Sequence, residues 1–313
     1  MIRGIESLCL VGIIHPMAYP EAGKGEGPVI LESLAKLLAD DYFGAVEVTW
    51  MKDPAVRKEA RAMAEWAGVE LVFAGQPPLL SQKLNLNALD DAARKAAVDQ
   101  CRQSVDMAYD LGARMLAVLS GPDPGDADRD RATAALVDSL GQICAYAQEK
   151  ADDYMLAVSL ETFDRTIDKR CLTGPTRLAA QVAAAVKERY SNFGLTIDLS
   201  HQPILDETIH DMVIDSIDHL IHVHIGNAYA GDKASPAYGD QHPRFGFPGS
   251  ANGVAELKRF IEALIYAGYF QKNTPTSKPV MSFEVKPLPG ECPELVIAGA
   301  KRTLNQAWAE MQA

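Results

Sequence analysis

The chain has 313 residues, 48% of them hydrophobic, and a formal net charge of −12. That length accommodates one large domain or two ordinary ones, with ample apolar content for a core. The acidic balance excludes nucleic acid and anionic membrane surfaces as partners, because both demand a basic face. Five cysteines (Cys9, Cys101, Cys144, Cys171 and Cys292) are scattered without a C-x-x-C pair. That usage describes reduced thiols in a cytoplasmic protein, not a disulfide frame. The first apolar run, residues 8–14, is too short to span a bilayer and carries no cleavage pattern.

In chain order, residues 7–15 are apolar and β-branched and predict a strand, followed by helical periodicity over 28–40. Residues 43–50 (FGAVEVTW) predict a second strand and 53–67 a charged helix. A third strand over 69–74 closes on Gly75-Gln76-Pro77-Pro78, and a long segment leads into a helix over 88–111. The fourth strand covers 114–120 and stops at Gly121-Pro122. The acidic stretch 123–130 lacks the glycine and final glutamate of a calcium loop and reads as a solvated turn before a helix to about 150. Strand and helix then alternate over 155–163 and 176–188, 195–198 and 206–217, 219–226 and 253–267, 280–286 and 293–311.

Strand then helix recurs eight times with no intervening linker. The strands are short and mostly apolar, as strands covered on both faces must be. This predicts a single domain over 1–313, a closed (β/α)8 TIM barrel. The competing architecture, an open doubly wound sheet, would carry a Gly-rich phosphate turn after its first strand. Gly12-Ile13-Ile14-His15-Pro16 is no such turn.

A (β/α)8 barrel builds its active site at the C-terminal ends of the strands, so polar residues there carry the signal. Strand five offers Ser159 and Glu161 on one face, and strand six Thr196 and Asp198. Strand seven offers His222 and His224, and strand eight Ser282, Glu284 and Lys286. In Leu195-Thr196-Ile197-Asp198-Leu199-Ser200-His201 the histidine can swing back over the strand end. Carboxylates beside imidazoles suit one divalent cation: Mn²⁺, Mg²⁺, Co²⁺ or Zn²⁺. Any one of these residues alone reads equally as a buried polar group with a local partner. Four successive strands with the same pattern argue for a site.

Other positions stay open. His15 ends the first strand and either touches substrate or caps the Pro16 turn. Glu47 points into the barrel or pairs with a helix. Lys286 either stabilises an enolate oxygen or phosphate or balances the acidic site. Arg244 is the best anion-binding candidate in the loop after strand seven. His222 lies one step deeper than His224 and reads as packing or support, while His210 and His219 carry no functional signal.

The set Glu161, Asp198-x-x-His201, His224 and Glu284 resembles the xylose-isomerase-like superfamily of TIM barrels. That group holds sugar and sugar-phosphate isomerases and epimerases, inosose dehydratases and apurinic endonucleases. Resemblance to its ketose 3-epimerase branch implies one divalent metal, manganese foremost, on Glu161, Asp198, His224 and Glu284. It also implies that the two glutamates act as acid and base on opposite faces of the substrate carbon, and that His201 helps hold substrate. Asp240-x-His242, within Tyr238 to Gly246, resembles a second ligand pair of the apurinic endonucleases. Those enzymes add histidines from early strand ends, where this chain has Trp50-Met51-Lys52, Gly75-Gln76-Pro77 and Ser120-Gly121-Pro122. A trinuclear site is therefore incomplete, and Asp240 and His242 read as a substrate-loop pair or as support.

The resulting expectation is a metal-dependent isomerase or epimerase of a sugar or related polyhydroxy compound, working by proton abstraction through an enediolate and assembled as a homo-oligomer. Two alternatives remain. The segment from Gly226-Asn227 to Gly246 is similar to C-glycoside deglycosidase large subunits, which implies a lyase with a small partner chain; an inosose-type dehydratase belongs to the same class. The third reading is a sugar-binding barrel without catalysis, against which the retention of both glutamates weighs.

Overall fold

Eight parallel strands pair in sequence order, and the first also pairs with the last, in a computed structural model that describes residues 4–312. The strands are β1 (Leu10–Ile14), β2 (Ala45–Val48), β3 (Glu70–Ala74), β4 (Met115–Leu119), β5 (Ala157–Glu161), β6 (Phe193–Asp198), β7 (Leu220–Gly226) and β8 (Val280–Glu284). Closure through the β1–β8 pairing rules out the open sheet and gives the single TIM barrel. Each predicted helix is present on the outside, most of them somewhat shorter than the sequence pattern and Pro293–Met311 at full length. Chemistry at the ends explains the trimming. Asp53 and Asp90 cap Pro54–Ala67 and Asp91–Leu111 by accepting from the backbone amides of Ala55 and Ala93. Gly68 and Gly112 close the same helices in the left-handed conformation that glycine adopts without strain.

Three short helices interrupt stretches expected to be strand ends or loops: His15–Ala18, Gln76–Ser81 and Gln202–Leu205. Each has proline in its first turn, where a missing N–H costs nothing and φ is already helical. No helix among the described residues is long and apolar enough to cross a membrane. All five cysteines are free.

The barrel interior is layered. Ala45, Val72, Met115, Ala157 and Val280 form an apolar floor at the strand starts. Above them the Ser159 and Thr196 hydroxyls meet at 2.5 Å, and His222 Nε2 lies 3.3 Å from Ser282 Oγ. Gly12 belongs to this level. A Cβ there would stand 2.4 Å from Ser282 Oγ, so β1 can approach β8 only without a side chain. The level above holds Glu161, Asp198, His224 and Glu284, so polarity rises from floor to mouth.

His15 departs from the expectation that it touches substrate. It is 2% exposed, does not line the cavity, and donates from Nε2 to Ser33 Oγ at 2.7 Å, while that hydroxyl donates to the Val29 carbonyl. Pro16 turns the chain into a helix and aims the ring at the Val29–Leu38 helix instead. Burial pushes the imidazole down to about 4. The unfolded chain therefore binds a proton, near pH 6.5, that the folded chain refuses until about pH 4. Stability contributed by neutral His15 is full above pH 6.5 and falls progressively toward pH 4, by on the order of 3 kcal/mol in total. Denaturant unfolding of wild type and His15→Gln at pH 7.5 and 4.5 checks this. The variant should lose less stability on acidification; equal losses exclude the assignment.

Candidate active site

The ends of β5, β6, β7 and β8 bring four ligand-type side chains together. One donor atom from each of Glu161, Asp198, His224 and Glu284 lies within 4.8 Å of all the others. His224 Nδ1 stands 3.0 Å from Glu161 Oε1 and 2.9 Å from Glu284 Oε2. Glu284 Oε2 is nevertheless a buried oxygen without an aligned hydrogen bond. A carboxylate oxygen so close to a ring nitrogen, and unsatisfied by it, is arranged for a shared third atom. The spacing agrees: neighbouring ligands of an octahedral ion with bonds of ~2.1 Å stand about 3 Å apart. The cluster is a divalent-metal site, with Asp198 completing it. Asp198 is fully buried and held by Ser200, whose amide donates to Oδ1 at 2.8 Å and whose hydroxyl donates to Oδ2. Burial pushes the Asp198 carboxyl above its usual range, as expected for an anion awaiting a cation.

Behind this set, Asp240 is a node between three loops. His201 Nε2 donates to Asp240 Oδ1 at 2.9 Å and its Nδ1 donates to the Thr162 carbonyl at 2.7 Å. His242 Nε2 lies 2.8 Å from the same Oδ1, and its Nδ1 donates to Ser200 Oγ at 3.1 Å. His201 therefore spends both ring nitrogens as donors, while His242 donates from Nδ1 and meets Asp240 as an ion pair through Nε2. Lys169 reaches Asp240 Oδ2 at 2.9 Å. Burial opposes each of these charges, but the cluster overrides it. His242, His201 and Lys169 hold Asp240 well below the usual carboxylate range, and Asp240 with Asp198 pushes His201 up to about 10. His242 adopts a left-handed backbone (φ 47°), which turns its ring back over the site, with Nε2 3.3 Å from Glu284 Oε1.

The mouth is a cavity of about 200 Å³. One half is apolar, built by Ile14, Pro16, Met17, Ala74, Pro77, Leu80 and Phe163. The other holds Glu161, His224, Glu284, Asp240, His242 and Lys286. Lys286 Nζ donates to Gln241 Oε1 at 3.0 Å. Two further candidates are not brought to the cavity. His201 is fully buried behind Asp240 and braces it. Arg244 turns outward and donates to Glu291 at 2.8 Å, so its charge is already matched by a neighbour in the loop before the last helix.

Two cavity residues, Gln76 and Lys169, escape sequence reasoning, and a third, Glu47, takes the inward one of the two aims the sequence leaves open. Gln76 Nε2 donates to Glu161 Oε2 at 2.6 Å. It stands in a Gly-Gln-Pro-Pro turn, where nothing local marks an inward side chain. Lys169 lies in the long loop after β5 among other charges. Glu47 is buried under the metal cluster, with His224 Nε2 at 3.1 Å and His222 Nε2 at 3.0 Å. The alternation Ala45, Glu47 along β2 was the only available sign of its inward aim.

Comparison with known proteins agrees with this fold. Over 97% of each chain, the fold is similar to D-psicose 3-epimerase from Clostridium cellulolyticum H10 solved with D-tagatose, at 18% identity and a TM-score of 0.61. A D-tagatose 3-epimerase-like protein superposes with a TM-score of 0.69 at 17% identity, covering 97% of this chain and all of the other. The apo form of 3-keto-D-glucoside 4-epimerase from E. coli gives 0.61 at 15% identity over 97% and 99% of the two chains. No curated protein matches the sequence. Residues 35–289, spanning β2 to β8 and all four metal-site residues, match the profile of the xylose isomerase-like TIM barrel. The chain belongs to that family.

Proposed function

We propose that this protein is a divalent-metal-dependent isomerase or epimerase of a sugar or related polyhydroxy carbonyl compound. The observation that carries the reading is the pairing of Glu161 and Glu284. Each offers one oxygen to the metal cluster, and both line the same cavity from strands that are not neighbours. Three carboxylates with one imidazole favour Mn²⁺ over the softer-ligand ions, with Mg²⁺, Co²⁺ and Zn²⁺ as substitutes. A bound ion supplies Lewis acidity to adjacent carbonyl and hydroxyl oxygens of the substrate.

The remaining work falls to the chain. One glutamate takes the proton beside the carbonyl and the other returns a proton from its own side. Gln76, by donating to Glu161 Oε2, fixes the plane of that carboxylate. Lys286, on the cavity wall, faces the negative charge that develops as the proton leaves. His242, braced by Asp240, holds Glu284 from behind, and the apolar half of the mouth excludes water. We assign the protein to the cytoplasm on its free cysteines, four of them buried, and expect a homo-oligomer.

The test is conversion of ketoses, inososes and oxidised glycosides by the Mn²⁺-loaded protein in D₂O, followed by NMR. Inversion or carbonyl migration, with deuterium entering beside the carbonyl, is the expected result. Loss of a substituent from the neighbouring carbon makes the protein a lyase or dehydratase, and a small chain co-purifying with it would point to the deglycosidase form. Absence of exchange with every compound bound leaves a sugar-binding barrel. Abasic duplex DNA should remain intact, given the acidic chain and the missing early histidines.

A further inference from the structure

We infer that Glu47 is a positioning residue for the metal site: it anchors His224 through Nε2 so that Nδ1 is the nitrogen presented to the ion. This rests on the metal-dependent reading above. The two nitrogens of His224 meet different surroundings. Nδ1 faces Glu161 Oε1 and Glu284 Oε2 at 3.0 and 2.9 Å, the cluster that converges on the ion. Nε2 faces away from it, toward Glu47 Oε1 at 3.1 Å and Oε2 at 3.2 Å. A ring pinned by a carboxylate on one nitrogen keeps that proton and points the other lone pair at the metal.

Packing and charge support the role. Glu47 is fully buried, and its only cationic or proton-donating neighbours in the ion-pair and hydrogen-bond network of the described residues are His224 and His222. A buried carboxylate with no cation of its own is costly, so its retention inside a barrel calls for a use. The shared carboxylate also locks the two rings in register: they meet edge-on, at 86° and 4.7 Å between centroids. Histidine tautomer and tilt are thereby set by a residue on β2, a strand that supplies none of the four residues of the metal cluster.

The experiment compares Zn²⁺ binding by wild type and Glu47→Gln, using calorimetry for affinity and imidazole NMR of the zinc-loaded wild type for geometry. Glutamine keeps the shape of the side chain, so packing is conserved while the anionic acceptor is removed. The expected result is a 10- to 100-fold weaker Kd in the variant with an unchanged circular dichroism spectrum. In wild type the His224 Nε2–H resonance should be present, shifted downfield by its carboxylate partner and slow to exchange. Wild-type affinity in a folded Glu47→Gln protein overturns the proposal and leaves the metal reading standing. Should the variant not fold, the wild-type spectrum decides: a zinc-loaded ring protonated at Nδ1 overturns the proposal, and one protonated at Nε2 upholds it. Failure of wild type to bind Zn²⁺, Mn²⁺ or Co²⁺ sinks the metal reading and this inference together.

Discussion

Replacing Glu161 or Glu284 with glutamine should lower turnover by on the order of 10²–10⁴-fold, the usual weight of a general acid or base. An amide still fills the volume, and its oxygen can still occupy a ligand position, so the variants should fold and bind substrate. Their defects should differ in kind. Glu161 is 1% exposed, and one of its oxygens is taken by Gln76; Glu284 is 8% exposed, with His242 at one oxygen and His224 at the other. If the two work from opposite faces, each variant blocks solvent exchange from one side only. Deuterium incorporation measured separately in substrate and product would resolve the two half-reactions. A lyase gives a different pattern, in which one variant stops C–H exchange and the other permits exchange but blocks departure of the leaving group. Near wild-type turnover by both variants would dispose of the two-glutamate mechanism while leaving the barrel untouched.

Asp198→Ala should abolish metal binding and destabilise the protein. The carboxylate serves the ion on one side and Ser200 on the other. Its removal also withdraws a negative charge from His201 and His242, which lie 3.7 Å from Oδ2. Breaking one partner out of a buried charged cluster costs about 3–5 kcal/mol, which should appear as a lowered thermal midpoint. Asp198→Asn retains the shape and an acceptor for the Ser200 amide, so it should recover part of the stability without recovering the metal. Elemental analysis after dialysis reads the result directly. One ion per chain in purified Asp198→Ala would mean that the metal sits elsewhere.

The strand–helix alternation was readable because each buried strand is a short apolar run and each helix an amphipathic one, two periods that do not imitate each other. The four residues of the metal cluster were readable for the same reason: Glu161, Asp198 and Glu284 close their strands, and His224 interrupts its apolar run two residues before the end. Glu47 interrupts a run too, but in the middle of FGAVEVTW, where inward and outward aims look alike until the register against β1 and β3 is known. Gln76 and Lys169 belong to loops, whose side-chain directions depend on backbone turns that no periodicity records. His15 shows the converse error. Its place at a strand end suggested the cavity, but Pro16 starts a helix at once and the ring turns into the packing behind it.

The mouth of the barrel is divided between two kinds of adhesion, and this division shapes how the protein can change over evolutionary time. Around Asp240, loops after β5, β6 and β7 are tied by charged bonds in which every donor has a named acceptor, so most substitutions there strand a buried charge. Across the opening, the side chains of Met17, Pro77 and Leu80 meet the cavity through dispersion, from short helices whose one hydrogen bond to the metal cluster among the described residues is Gln76 to Glu161. Exchanges among apolar side chains at such positions cost little and alter the outline of the cavity directly. A lineage shifting from one carbonyl compound to another would therefore be expected to accumulate its differences after β1 and β3, with the chemistry inherited intact from the opposite rim.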